Sequence, residues 1–152
     1  MTESVSVSRE MAAPPEEVWA LVSDLTRMGE WSPEAKGGRW AGGVDGPAVG
    51  AVFKGRNRNG RYRWPTNVAV IECDPPRRFA FRLNIPFMGG CDWVYDIEPT
   101  GEGCRVTESW VDFRKRSLVV VGRILSGVAD RATHNRAGME QTLDRLADHF
   151  AA

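Results

Sequence analysis

Residues 51–70 read AVFKGRNRNGRYRWPTNVAV, two segments of alternating polarity that meet at Asn59-Gly60. An Asn-Gly pair favours a two-residue type I′ turn, so these two residues are predicted to form the loop of a β-hairpin. Arg58 then lies opposite Arg61, and the basic side chains share one face of the hairpin. The other face is apolar and aromatic, with Phe53, Tyr62, Trp64, Val68 and Val70 as its largest members.

Further strand-like segments lie on both sides of this hairpin. Five runs between about residues 50 and 113 are separated by turn sequences such as Asp74-Pro75-Pro76 and Met88-Gly89-Gly90. Short consecutive strands joined by turns predict an antiparallel meander. Residues 4–8 alternate serines with valines, which predicts one more strand near the N-terminus.

Two short helices and one long helix complete the predicted fold. The stretch 13–17 (APPEE) is typical of a helix start, because proline needs no hydrogen-bond partner there and acidic groups suit the helix dipole. Asp24 can cap a second short helix that ends near Met28. Apolar residues recur at helical spacing from about residue 129 to 150 and predict one long helix. The segment before it, with Gly122 and Gly127, is interpreted as a variable connection.

These elements predict an α+β helix-grip fold. A curved antiparallel sheet of about seven strands wraps around the long C-terminal helix, with two short helices after strand 1. At 152 residues the chain fits one domain, residues 1–152.

Composition excludes several classes of function. Basic and acidic residues number 20 each, so no global field attracts nucleic acid or an anionic membrane. No stretch approaches the length of a membrane span, and no leader is recognisable, so we expect a cytoplasmic protein. Three widely spaced cysteines and two histidines indicate no disulfide framework, no metal site and no cofactor.

The aromatic residues of successive strands converge on the inner face of the predicted sheet. One helix has difficulty covering so much bulky surface, so a ligand pocket is expected, with a filled core as the alternative. The predicted ligand-binding residues are Trp31, Phe53, Tyr62, Trp64, Phe79, Phe81, Trp93, Tyr95, Trp110, Asn135 and Met139. The loop of residues 86–90 is predicted to be exposed and apolar, and it could gate the pocket.

Catalysis in such a pocket requires an acid or base whose pKa burial can shift. Glu108 and Asp112 are the candidates, because both face inward if Trp110 does. The opposite phase of this strand would expose both acids, and the sequence leaves the two phases open. His134 is a conceivable general base, but it shares a helical stripe with Arg131 and other polar residues, opposite Met139 and Leu143, so we assign it no catalytic role.

The helix starts and turns resemble the START-like (SRPBCC, Bet v allergen-like) superfamily. Residues 13–19 (APPEEVW) and 24–33 (DLTRMGEWSP) carry this resemblance. Residues 73–79 (CDPPRRF), 93–98 (WVYDIE) and 103–107 (GCRVT) resemble the polyketide cyclase/dehydrase and lipid-transport family of actinobacteria. The resemblance implies a cavity between sheet and C-terminal helix. It also implies a role in secondary metabolism, lipid binding or self-resistance.

Three functions follow from these observations. The first is binding or sequestration of a hydrophobic, aromatic polyketide-like or lipid-like molecule by a monomer or homodimer. The second is a polyketide cyclase or dehydratase that uses Glu108 or Asp112, with Tyr62 or Tyr95 orienting a carbonyl. The third is an interaction module that uses the basic hairpin 54–63 on RNA or an acidic partner, although no nucleic-acid role is the main expectation.

Overall fold

A computed structural model describes residues 3–151. Seven strands and four helical segments follow in the order β1 (Glu3–Met11), α1 (Pro15–Val22), a 3₁₀ helix (Leu25–Glu30), β2 (Ala35–Trp40), β3 (Val52–Asn59), β4 (Tyr62–Asp74), β5 (Arg78–Ile85), β6 (Gly89–Thr100), β7 (Gly103–Asp112), α2 (Arg116–Ser126) and α3 (Arg131–Phe150). Among these described residues, no helix combines the length and apolar character needed to cross a membrane.

The strands form one antiparallel sheet in the order β1-β7-β6-β5-β4-β3-β2. The sheet bends around α3, which packs against β1 and β7. The helix buries Asn135, Met139, Leu143 and Leu146 toward the sheet. The predicted α+β helix-grip fold is confirmed.

Local sequence explains where the helices begin. Pro15 occupies the first turn of α1, where its missing N–H has no partner to lose. The Asp24 carboxylate accepts a hydrogen bond from the backbone N–H of Thr26 and caps the 3₁₀ helix. Asp130 caps α3 in the same way by accepting from the backbone N–H of Thr133.

Glycine allows β2 to approach the hairpin closely. The register of β2 on β3 shifts between Ala35 and Gly38, which is a bulge that bends this edge of the sheet. Gly38 has φ 151°, and a Cβ there would lie 2.3 Å from the carbonyl oxygen of Lys54. Only glycine fits this position without displacing the backbone of β3.

The predicted register of the β3–β4 hairpin was wrong by one residue in the loop. Asn59 pairs with Tyr62, so the loop consists of Gly60 and Arg61, and Arg58 lies opposite Arg63. Gly60 has φ 60° whereas Arg61 does not have a positive φ, as in a type II′ turn, which needs glycine only at its first central position. Each residue of β3 therefore pairs with a residue two positions further along β4 than predicted. A shift of two residues keeps every side chain on its predicted face of the sheet.

The outer face of the sheet carries ion pairs between neighbouring strands. Arg78 contacts Asp96 at 2.6 Å and also Glu72, and Arg82 contacts Asp92 at 2.7 Å. These pairs join β4, β5 and β6 across the outer face of the sheet.

The segment interpreted as a variable connection is instead the helix α2. It contains Gly122 and three consecutive valines, which have low helix propensity, so the sequence pattern did not identify it. Tertiary packing stabilises it. Leu118 and Leu125 face the concave side of the sheet, and Gly127 ends the helix in a left-handed conformation with φ 72°.

Candidate functional site

A cavity of about 530 Å³ lies between the concave face of the sheet and the helices α2 and α3. Leu118, Gly122 and Leu125 of α2 form one side, and Asn135 of α3 forms another. Strands β3 to β7 supply the aromatic wall, which consists of Phe53, Trp64, Phe81, Trp93, Tyr95 and Trp110.

Seven of the eleven predicted ligand-binding residues lie on this wall: Phe53, Trp64, Phe81, Trp93, Tyr95, Trp110 and Asn135. The other four lie off the cavity wall. Phe79 is fully buried with its ring edge-on to Trp19 of α1, and Met139 is in the core beneath α3. Tyr62 packs against Gly127. Trp31 is buried, with its ring edge-on to His149.

The sequence left open which side chains of β7 face inward, and in the structure Glu108 lies on the inner face of the sheet. Val106, Glu108 and Trp110 are exposed by only 0%, 3% and 1%. Glu108 lies directly opposite Tyr95 of β6, and both side chains border the cavity. Burial raises the pKa of Glu108 to about 8, and the Tyr95 hydroxyl partly offsets this rise. The carboxyl is therefore mostly protonated at neutral pH.

Tyr95, opposite Glu108, is also buried. Burial raises the pKa of Tyr95 well above its usual value, and the Tyr95 hydroxyl lies 3.8 Å from Sδ of Met28. The Oε1 atom of Glu108 has no hydrogen-bond partner within residues 3–151. The site thus contains a neutral acid that can donate one hydrogen bond and accept another.

Asp112, the second predicted acid, does not reach the cavity wall. Its two carboxylate oxygens accept hydrogen bonds from the Arg114 guanidinium at 2.8 and 3.0 Å. Both side chains are largely buried, at 14% exposure each. Arg114 itself borders the cavity, with its guanidinium 5.4 Å from the Trp110 ring centroid. Asp112 is placed to orient Arg114.

Sequence reasoning did not select the cluster of Glu34 and Arg131. Arg131 was predicted only to share the polar helical stripe of His134, but it borders the cavity and lies 5.8 Å from the Trp64 ring centroid. Its guanidinium donates to Glu34 at 2.8 Å and to Oδ1 of Asn135 at 3.3 Å. His134 lies off the wall of this cavity and contacts Glu34 at 3.0 Å. Glu34 and Arg131 are 97 residues apart, so no local sequence pattern indicates that they meet.

Asn135 is the second polar group directed at the cavity from a buried position. It is 4% exposed, and its Nδ2 atom has no hydrogen-bond partner in the described chain. The wall is therefore aromatic and apolar except for a few polar groups. Those groups include one unpartnered acceptor on Glu108 and one unpartnered amide donor on Asn135.

The family model described as polyketide cyclase/dehydrase and lipid transport matches residues 2–151. A Polyketide_cyc-like protein from Corynebacterium glutamicum is 33% identical over 97% of this chain and 90% of that chain, with a TM-score of 0.65. The ginseng major latex-like protein 151 from Panax ginseng is 12% identical over 99% of both chains, with a TM-score of 0.75.

The di-domain ARO/CYC protein StfQ, from the steffimycin biosynthetic pathway, is 13% identical, with a TM-score of 0.75. The match covers 99% of this chain and 51% of StfQ. A search of curated proteins finds no significant match. The two comparisons under 25% identity show a shared fold, and the whole-length family match shows more: this chain belongs to the polyketide cyclase/dehydrase and lipid-transport family.

Proposed function

We propose that the protein binds an aromatic, polyketide-like small molecule in the cavity. The observation that carries this proposal is an aromatic cavity of about 530 Å³ bordered by two residues that each hold a buried, unpartnered polar atom, Oε1 of Glu108 and Nδ2 of Asn135. A buried polar atom without a partner costs about 1–3 kcal/mol. A ligand that donates to Glu108 and accepts from Asn135 would offset both costs.

The chemistry of the wall defines the ligand class. Trp64, Trp93 and Trp110 offer ring faces and edges for aromatic stacking. The volume lies within the range typical of pockets for drug-sized molecules, about 300–1,000 Å³. A fused aromatic system with hydroxyl and carbonyl groups fits these features better than a saturated acyl chain, which would leave both polar atoms unpartnered. The family description includes polyketide cyclases and lipid transport, so the preference for an aromatic ligand rests on the cavity wall.

Quenching of tryptophan fluorescence tests the proposal directly. Three tryptophans border the cavity, so a bound aromatic ligand should quench or shift their emission. We expect saturable quenching by polyhydroxylated anthraquinones and weaker effects from fatty acids. Absence of saturable quenching across both panels would contradict the proposal.

A cavity-filling variant distinguishes binding inside the cavity from binding elsewhere. Gly122 faces the cavity from α2, and a Cβ there would meet only the Arg114 guanidinium, at 3.8 Å. Gly122→Phe should therefore fold and fill the space, and it should lower ligand affinity at least about tenfold. Gly122→Ala is the matched control and should bind like the wild type. Equal binding by both variants would place the ligand outside the cavity.

The second candidate is aldol cyclisation of a poly-β-ketone, favoured by the protonated Glu108 at the wall. One carboxyl oxygen would donate its proton to the ketone oxygen while the enol carbon attacks the ketone carbon. Oε1 would accept the enol proton, so the carboxyl ends neutral and the product is a β-hydroxyketone. Tyr95, which borders the cavity, would orient the ketone in this mechanism, whereas Tyr62 lies off the cavity wall.

Glu108→Gln separates the two candidates. The amide keeps the shape and hydrogen-bonding capacity of the neutral acid but cannot transfer a proton. For a cyclase we expect the variant to retain ligand quenching and to lose turnover of a poly-β-ketone substrate. Full turnover by Glu108→Gln would refute this mechanism and leave the binding proposal intact.

A further inference from the structure

The outer surface of α2 is apolar although it faces solvent. Val120, Val121 and Ile124 are exposed by 49%, 40% and 68%. Val120 and Ile124 lie on the side of the helix away from Leu118 and Gly122, which border the cavity, and Val121 lies between the two sides. A helix that is apolar on both sides needs a covering partner for its outer side.

An exposed aromatic residue lies in the turn that adjoins the start of α2. Phe87 lies in the turn between β5 and β6 and is 93% exposed, with φ 67°. A positive φ is unfavourable for a bulky residue, so the turn presents this ring at a conformational cost. The turn adjoins the start of α2, because the backbone N–H of Lys115 donates to the carbonyl of Met88 at 2.8 Å.

Basic side chains border the same surface. Residues 113–129 contain four basic residues and no acidic residue, although the whole chain has no net charge. Arg114 is paired with Asp112. Lys115, Arg116 and Arg123 are exposed, and none of them forms an ion pair within residues 3–151. Arg116 and Arg123 are seven residues apart, so they lie on the same side of the helix, next to Val120.

We propose that this surface docks on an anionic lipid bilayer. We name it the α2 surface and define it as Phe87, Val120, Val121 and Ile124 with Lys115, Arg116 and Arg123. Exposed apolar residues beside lysine and arginine match the interfacial zone of a membrane with negative headgroups. The charges disfavour a second copy of the chain as the covering partner, because two basic surfaces would meet. Docking would also bring the membrane next to the helix that forms one side of the cavity.

Co-sedimentation with vesicles tests the docking. We expect the protein to bind phosphatidylcholine vesicles that contain about 30 mol% phosphatidylserine and to bind pure phosphatidylcholine at least about tenfold more weakly. The double variant Arg116→Gln/Arg123→Gln should bind the anionic vesicles about 20-fold more weakly, and Phe87→Ser/Ile124→Ser at least about tenfold more weakly. Raising the salt concentration should release the wild type.

Matched controls use exposed residues outside this surface. Arg39→Gln/Arg63→Gln removes two exposed charges, and Val49→Ser removes an apolar side chain that is 67% exposed. Both controls should bind anionic vesicles like the wild type. The proposal is overturned by failure of the wild type to bind these vesicles, or by equal losses in the controls and the α2 variants. A dimer that dissociates on Ile124→Ser, with no vesicle binding, would overturn it in favour of self-association.

The outcome is independent of the ligand proposal. Fluorescence quenching by a soluble aromatic ligand reports on the cavity alone, and the four substituted residues of the α2 surface lie off its wall. The two double variants should therefore retain quenching while they lose vesicle binding. Loss of both properties in the same variant would indicate a folding defect, which unfolding by urea detects, and would count against the docking assignment.

Discussion

Glu108→Gln should change how the stability of the protein depends on pH. Burial raises the pKa of this carboxyl from 4.5 to about 8 in the folded state, so the folded chain holds the proton more tightly than the unfolded chain does. Such a group contributes its full stability below a pH of about 4.5. That contribution is lost as the pH rises toward and through about 8.

The structure sets the size of this effect. Each pKa unit corresponds to about 1.4 kcal/mol, so the rise at Glu108 corresponds to at most about 5 kcal/mol. Relaxation of the surrounding groups stabilises the ionised carboxylate and reduces the penalty. We therefore expect the wild type to lose about 3 kcal/mol more than Glu108→Gln between pH 5 and pH 8.5. The glutamine variant does not ionise, so its curve should be flatter.

Urea unfolding monitored by circular dichroism at several pH values measures this difference. Subtracting the two curves removes every other titrating group that the proteins share. Glu98 is exposed on β6, and Glu98→Gln should follow the wild-type curve. If the curves for Glu108→Gln and the wild type run parallel from pH 5 to 8.5, Glu108 is not buried as a neutral acid. The reasoning about its role would then fail.

Three further predictions concern other parts of the structure. Phe79→Ala should lower the free energy of unfolding by about 3–5 kcal/mol, as measured by urea unfolding, because Phe79 is fully buried. Ligand affinity, measured by fluorescence titration, should stay unchanged, because Phe79 lies off the cavity wall. Cys91 should resist thiol reagents at neutral pH, since burial raises its pKa to about 11, and rapid labelling of the native protein would contradict this. Glu34→Gln should cost about 1–2 kcal/mol, since Glu34 pairs with Arg131, and a loss no larger than for the exposed Arg77→Gln would refute the role of this pair.

Periodicity predicted the inner and outer faces of the sheet, because successive side chains of a strand point to opposite faces. Phe53 and Val68 are buried and Lys54 and Arg63 are exposed, as alternation requires. The predicted register of the same hairpin was wrong, because the register depends on which two residues form the loop. Asn59-Gly60 suits a type I′ turn in isolation, whereas pairing along the whole of β3 and β4 selects Gly60-Arg61.

Local sequence pattern could not predict the helix α2 or which residues border the cavity. Three valines and Gly122 do not favour a helix on their own, and α2 is stabilised by contacts with distant strands. Asn59 of the hairpin, for example, donates to the carbonyl of Ser126 at 2.8 Å. Aromatic residues at equivalent strand positions have different surroundings for the same reason. Phe81 borders the cavity, but Phe79, two residues earlier, is covered by α1.

Two buried polar residues, Glu108 and Asn135, border the cavity at positions where an apolar residue would make the core more stable. An aliphatic residue in place of Glu108, between the buried Val106 and Trp110, would avoid the ionisation penalty and the unpartnered Oε1 atom. Asn135 likewise places an unpartnered amide group on the buried side of α3, where Met139 and Leu143 are apolar. Under the proposed function, the stability lost at these two positions is recovered when a ligand supplies the missing hydrogen bonds. A ligand should therefore raise the free energy of unfolding more in the wild type than in a double variant with leucine at both positions.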